Sequence, residues 1–209
     1  MKIAVIAANG RSGRAFVQLA LEAGHTIHAG VHGSAEFAAN NNLKVLPCDA
    51  TNYDQILQLI TGCDAVVSLI GHTKKSDTLV QTKAIQNILK AMQKANIKRL
   101  VSLTGTGVRL PNDKITMMDR VLNMSISIID PNRINDGKQH AIMLQQSTVD
   151  WTIIRVLKLQ NTDPKPFVLT EHGPTKLYVS RYDVAAAILQ VLQDNSFIQQ
   201  APILSPAPH

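Results

Sequence analysis

The sequence predicts an α/β fold, a doubly wound parallel sheet with helices on both faces, and three observations carry that prediction. The run Ile3 to Ala7 is apolar without alternation, as a strand covered on both faces requires. It passes through Ala8-Asn9-Gly10-Arg11-Ser12-Gly13-Arg14 into Phe16, Leu19, Ala20 and Ala23, whose i, i+3, i+4, i+7 spacing is the stripe of a helix packed on that sheet. Strand-like and helix-like segments then alternate along the chain, which demands right-handed crossovers between parallel strands.

Further strands are expected at about Ile27–Val31, Leu43–Cys48, Ala65–Leu69, Arg99–Leu103 and Trp151–Val156, separated by helical stretches. The trio Asn40-Asn41-Asn42 reads as a helix C-terminus and turn. The clearest helix spans about Thr78–Ala95, where Ile85, Ile88, Leu89 and Met92 keep one register and Ser76 or Asp77 caps the start. Ser180-Arg181-Tyr182-Asp183 has the form of a capping box, followed by Val184, Ile188, Val191 and Leu192 on one face. This is a Rossmann-type arrangement, read as a single domain over 1–209 with no linker, repeat or low-complexity tract.

Two segments depart from the alternation. From 108 to 133, Pro111, Asn112 and Asp113 precede Met117, Met118, Val121, Leu122 and Met124, a methionine cluster that fills core in preference to lining an adaptable pocket. From 161 to 176, Pro164, Pro166, Gly173 and Pro174 mark loops around a short strand at Phe167–Thr170. Ligands of such sheets sit beyond the carboxyl ends of the strands, so both segments are expected on the substrate side.

Composition excludes several classes. The 209 residues are 45% hydrophobic and 17% charged, ordinary for a globular protein, and contain no apolar stretch long enough to span a membrane. The N-terminus begins a strand instead of a basic and apolar leader, so a cytoplasmic location is expected. Cys48 and Cys63 form no CxxC pair and are read as reduced, buried thiols. The net charge of +6 comes from scattered basic residues with only 4% aromatics to stack on bases, so it is assigned to an anionic small-molecule ligand and not to nucleic acid. Nothing in the sequence asks for more than a monomer or a weak homodimer.

The strand–glycine–helix unit is a ready-made pyrophosphate site. Gly10 permits a turn, Gly13 lets the helix start close to a ligand, and the first-turn N–H groups, including that of Ser12, face a phosphate with the positive end of the helix dipole. The spacing is Ala7-x-x-Gly10-x-x-Gly13, with alanine where the usual first glycine stands. Valine at Gly13 is expected to abolish dinucleotide binding and leave the fold intact.

After the second strand comes Gly30-Val31-His32-Gly33-Ser34, without the acid that accepts from an NAD ribose. Arg11, with His32 and Ser34, is the expected partner of a 2′-phosphate, which favours NADP over NAD; Arg14 is read as part of a solvated helix face. Asp49 either meets the adenine amino group or closes a turn with Thr51 and Asn52. Ser68-Leu69-Ile70-Gly71 would pass beneath the ribose, Gly71 permitting close approach. Alternation puts Ser102 and Thr104 on one face and leaves Thr104, Gly105 and Thr106 at the mouth of the site, where a hydroxyl orients a carboxamide or substrate, or else satisfies backbone groups.

No acid–base dyad is legible. None of Tyr53, Tyr178 and Tyr182 has a lysine four residues on, and no serine sits in a G-x-S-x-G elbow. Among His25, His28, His72, His140 and His172, no two stand at i, i+4 beside a carboxylate as metal ligands do. A flavin acceptor would lessen the need for a proton donor, since its own ring takes hydride.

These residues resemble the atypical short-chain dehydrogenase/reductase group that contains NmrA-like NAD(P)-binding proteins and the small flavin reductase/biliverdin-IXβ reductase. The marks are Asn9-Gly10-Arg11-Ser12-Gly13, Gly24-His25, Cys48-Asp49, Asp64–Val67, Val101–Gly105, Asp150–Arg155 and Ser180–Ala185, spread over nearly the whole chain. The resemblance implies NAD(P)H binding, with Arg155 of the sixth-strand motif joining the cofactor set. The flavin reductase branch places a serine just after the fifth strand, where this chain has Gly105 between Thr104 and Thr106; its histidine after the sixth strand falls at Lys158, and the arginine often found after the second strand is His32. On that correspondence Thr104, Thr106 and Lys158 are the candidate catalytic positions. The expected activity is hydride transfer from NADPH to a flavin or similar conjugated acceptor. The alternative is a regulator that senses NADP(H) without turnover.

Overall fold

The computed structural model describes residues 1–73, 76–105, 107–110, 113, 117, 120, 121, 124, 131–173 and 178–207. The expectations placed on Thr106, Pro111, Asn112, Met118, Leu122 and Pro174 lie outside them.

Strand β1 (Lys2–Ile6) leads into helix α1 (Arg11–Glu22), and β2 (Thr26–Val31) returns beside β1. Then follow β3 (Leu43–Pro47), α2 (Tyr53–Ile60), β4 (Ala65–Ser68), α3 (Val80–Ala95), β5 (Arg99–Gly105), α4 (Pro131–Gln145) and β6 (Asp150–Val156). The last third adds β7 (Lys158–Gln160), β8 (Phe167–Thr170), β9 (Tyr178–Ser180), α5 (Arg181–Gln193) and β10 (Ile203–Pro206). One eight-stranded sheet has the order β3-β2-β1-β4-β5-β6-β10-β8, parallel except where β8 runs against β10. A second, two-stranded parallel sheet pairs β7 with β9.

The doubly wound fold is therefore the one the sequence predicts. One face of the sheet packs Ile3, Val5, Val67, Val101 and Ile154 against Phe16 and Ala20 of α1 and Ile188 and Val191 of α5. The other packs Ala4, Ile6, Val66 and Leu100 against α2, α3 and α4 through Ile56, Ile85, Ile88 and Leu144. Both faces of β1 and β4 are thus buried, which is why their sequences do not alternate.

Three local expectations are corrected. Met117, Val121 and Met124 are exposed and fill no core. No helix joins β2 to β3; residues 34–40 form neither helix nor strand, and Asn40 leads into a turn, its Oδ1 accepting from Asn42 N at 2.8 Å. This stretch buries little, offering only Ala35 and Phe37 to the core, so a helix there would have no apolar stripe to pack. Ser76 does not cap helix α3, and Asp77 reaches only the residue ahead of it, its Oδ1 accepting from Leu79 N at 2.8 Å. The N–H groups of Gln81 and Thr82 donate instead to the two carboxylate oxygens of Asp136, on α4, both at 2.8 Å.

Candidate functional site

The sheet order reverses between β1 and β4, so the loops leaving their carboxyl ends diverge to opposite faces and open a crevice. The turn after β1 is tied down at both ends. Ala8 N donates to Gly30 O at 2.9 Å, Gly10 N to Ala7 O at 3.0 Å, and Asn9 Nδ2 to His32 O at 2.8 Å. Ala7, at the position of the missing first glycine, has a φ of 61°, so it is the residue that takes the left-handed conformation of the turn. Gly13 has a different task. A Cβ there would lie 2.3 Å from Ala7 O and 2.6 Å from Ala8 O, so only glycine lets α1 start against the end of β1. That corrects the expectation for valine at Gly13: the substitution collides with backbone and displaces the helix.

The first-turn amides of α1 are the exposed asset of this turn. Asn52 accepts from Gln55 N in α2, Asp136 holds the first turn of α3, and Ser180 with Asp183 closes the predicted capping box of α5. Among helices whose N-termini are described, α1 alone has no side chain bonded to its first turn and no acid in it. The N–H groups of Arg11, Ser12 and Gly13 lack intrahelical partners by geometry, which is the donor set a diphosphate needs. A cleft of about 560 Å³ opens beside them, lined by Arg11, His72, Thr73, Ser76, Asn132 and Arg133. It lies between the start of α1, the β4–α3 connection and the start of α4. These residues fit a dinucleotide whose diphosphate rests on α1.

The remaining candidates divide. His32 is exposed at the end of β2. Arg14, read as a solvated residue, reaches the segment after β2: its Nη1 donates to Glu36 O at 2.9 Å, its Nε to Asn9 O at 3.3 Å, and its guanidinium lies 5.1 Å from the centre of the Phe37 ring. Arg11 faces the 560 Å³ cleft instead. Asp49 closes a turn, accepting from Thr51 N and Thr51 Oγ1, both at 2.8 Å; the Thr51 N–H holds its carboxyl below the usual range. Leu69 is buried, its N–H donating to Ile6 O at 3.2 Å, and Gly71 is exposed with open space where a Cβ would stand.

Three expectations at the active end are corrected. Thr104 does not stand at a mouth. It is 5% exposed, and α4 crosses it through Gly137, where a Cβ would lie 3.1 Å from Thr104 Oγ1 and 2.9 Å from Val108 Cγ2. Arg155 cannot reach a cofactor, being 1% exposed with every arm engaged. Its Nη atoms pair with both oxygens of Asp113, and it donates to Ala201 O, Val108 O and Glu171 O. The ion pair fastens the stretch after β5 to β6. Lys158 is exposed at the start of β7, its Nζ 5.2 Å from the centre of the Tyr178 ring, and it lines neither this cleft nor the 350 Å³ cavity beside Trp151 and His172.

Sequence reasoning missed the buried carboxylate behind His72 on the wall of the cleft. Asp136 is fully buried; its Oδ1 accepts from Thr82 N and Thr82 Oγ1, its Oδ2 from Gln81 N, and His72 Nε2 lies 2.9 Å from Oδ2. No local signal links His72 after β4 to Asp136 inside α4; only the packing of α4 on α3 does. Among the described residues no cluster of ligands could hold a metal. Nor is any of their helices long and apolar enough to cross a membrane.

Residues 7–195 match the model of the NAD(P)H-binding family. The chain belongs to that family. No curated protein matches it. Solved structures extend the likeness over the whole fold. A Bacteroides thetaiotaomicron protein provisionally named an epimerase superposes with a TM-score of 0.83 at 20% identity, over 100% of this chain and 98% of that one. A Streptococcus pneumoniae protein provisionally named an NADH-flavin reductase gives 0.79 at 20% identity, over 99% and 100%. A short-chain dehydrogenase/reductase of Veillonella parvula, solved in complex with NADP, gives 0.79 at 18% identity, over 98% and 94%. At these identities the neighbours establish the Rossmann-type fold; NAD(P)H binding rests on the family match.

Proposed function

We propose that this NAD(P)H-binding protein is a reductase that passes hydride from NADPH to a flavin or a similar flat, conjugated acceptor. The observation that carries the reading is the uncapped first turn of α1 opening onto the cleft at the point where the sheet order reverses. The reduced nicotinamide supplies hydride when bound. The chain's own residues do the rest. The amides of Arg11, Ser12 and Gly13 hold the diphosphate, Gly71 leaves room for the ribose, and Arg11, Asn132 and Arg133 surround the acceptor's side of the cleft. The name of the Streptococcus pneumoniae neighbour supports the flavin class.

We also move the proposed 2′-phosphate contact from Arg11 to Arg14. That group would leave the adenosine ribose just past the end of β2, the stretch on which Arg14 rests through Glu36 O and the Phe37 ring. We assign NADP preference to Arg14. Arg14→Ala should weaken binding of 2′,5′-ADP about tenfold to a hundredfold, the effect of losing one charge-assisted bond, and leave 5′-AMP unaffected. Equal losses for both nucleotides, measured by calorimetry, would remove the assignment.

The activity itself is tested with purified protein, NADPH and a panel of FMN, riboflavin and quinones, following nicotinamide absorbance. Turnover with any of them supports the reductase. Binding of NADPH without turnover of any supports the NADP(H)-sensing alternative in its place.

A further inference from the structure

We infer that Arg181 and Arg11 form a phosphate seat between the first turns of α5 and α1, on the nicotinamide side of the diphosphate. The inference takes its dinucleotide from the proposed function and does not depend on turnover. β7 carries the chain on from β6 past its carboxyl end, and β9 pairs with it up to Gln160 and Ser180. Asn161 and Arg181 are the next residue of each strand, and there they meet: Arg181 Nη1 donates to Asn161 Oδ1 at 2.6 Å. α5 then runs back over β5 and β6 to begin β10, which is parallel to β6, and it packs on α1, which lies over β1 and β2. Both helices therefore start at the carboxyl edge of the sheet, and each has an arginine as its first residue. The adenosine half of a dinucleotide lies toward β2, so α5 stands on the side of the nicotinamide half.

The protein does not balance these charges. Arg181 is 8% exposed, and among the described residues no carboxylate pairs with it or with Arg11. Asp183, the acid of the same first turn, is committed to Lys165 N at 2.8 Å and Ser180 N at 3.3 Å. Burial and the Arg11 charge both pull the Arg181 guanidinium below its ordinary pKa. The positive end of a helix dipole opposes a cation as well. Burial, mutual repulsion and the dipole thus all work against two arginines at this spot, and a bound anion reverses the last two while supplying the counter-charge that burial demands. Arg181 is built to take one. Asn161 occupies its Nη1, while Nε and Nη2 have no partner among the described residues and are not enclosed. A guanidinium edge of that kind matches two phosphate oxygens. Two sources supply such a group: the nicotinamide-side phosphate of the cofactor, or the phosphate tail of an acceptor such as FMN.

Calorimetry with two pairs of probes separates the sources. Arg181→Gln should weaken binding about tenfold to a hundredfold for the ligand whose phosphate sits in the seat. If the cofactor supplies it, ADP loses that affinity and 5′-AMP, which ends at the adenosine-side phosphate, does not. If the acceptor supplies it, FMN loses and riboflavin does not. The unliganded Tm of the variant should not fall, because removing one cation relieves the other. Arg11→Gln, at an exposed position, should show the same selective loss, and it decides the matter should Arg181→Gln fail to fold. Unchanged affinities in both pairs, equal losses within each pair, or a lowered Tm with no selective loss would overturn the seat. Wild-type protein that binds neither ADP nor FMN would overturn the dinucleotide reading together with it. Protein that binds them and turns over no acceptor would remove the reductase alone.

Discussion

Ala7 shows how a single residue can be read correctly as a departure and still conceal its cost. An L-residue in the left-handed region is strained by about 1–2 kcal/mol, and Ala7 sits there at a φ of 61°. Glycine would relieve that strain but lose about 0.4–1 kcal/mol through a freer unfolded chain. Ala7→Gly is therefore expected to stabilise the protein by about 0.5–1 kcal/mol, measured by urea unfolding, with NADPH affinity retained. Gly13 is the opposite case. Its missing Cβ would fall 2.3 Å from a backbone oxygen, and backbone cannot rotate away as a side chain can. Gly13→Ala should lower both stability and NADPH affinity. A variant that loses affinity at full stability would instead place that Cβ against the ligand.

Among the elements, those legible in sequence were the ones whose signals are local. The glycine turn of β1–α1, the stripe of α3, the β8 strand and the capping box of α5 each lie within a few residues of chain. What could not be read was decided by distant partners. The cap of α3 comes from Asp136 on α4, the seat of Thr104 is made by Gly137, and β7 is a strand because β9 lies beside it. Arg155 is the sharpest example, since an arginine at the carboxyl end of a strand has the look of a ligand-binding residue. Burial pushes the Asp113 carboxyl up, but bonds from Arg155 and from Leu110 N outweigh it and hold the group below its usual range. Asp113→Ala leaves a buried guanidinium without its counter-charge and should cost about 3–5 kcal/mol. Pairing it with Arg155→Met should recover only part of that, because the carbonyls of Ala201, Val108 and Glu171 lose their donor as well. Full recovery in the double variant, by thermal denaturation, would mean that those three bonds contribute nothing.

The pH dependence of the whole molecule follows from a histidine that does no chemistry. His140 is buried on α4, and burial pushes its pKa down to about 4 against the opposing pull of the Asp136 charge. In the unfolded chain the same ring titrates near 6.5. Between those values the unfolded state binds a proton that the folded state refuses, so stability falls as pH drops through that window and is restored above it. The loss approaches about 1.4 kcal/mol per pH unit and totals about 3 kcal/mol by the lower end. His25, lowered by burial and by the N-terminal charge, acts with the same sign. Below the window the depressed carboxyl of Asp113 takes over, its contribution being present above the ordinary carboxylate pKa and lost as pH falls further. Denaturant unfolding between pH 7.5 and 4.5 should therefore show a steady decline in stability. His140→Gln should flatten most of that slope and leave the shallower part that belongs to His25. A slope unchanged by the substitution would mean that His140 is protonated in the fold, paired with the carboxylate of Asp136.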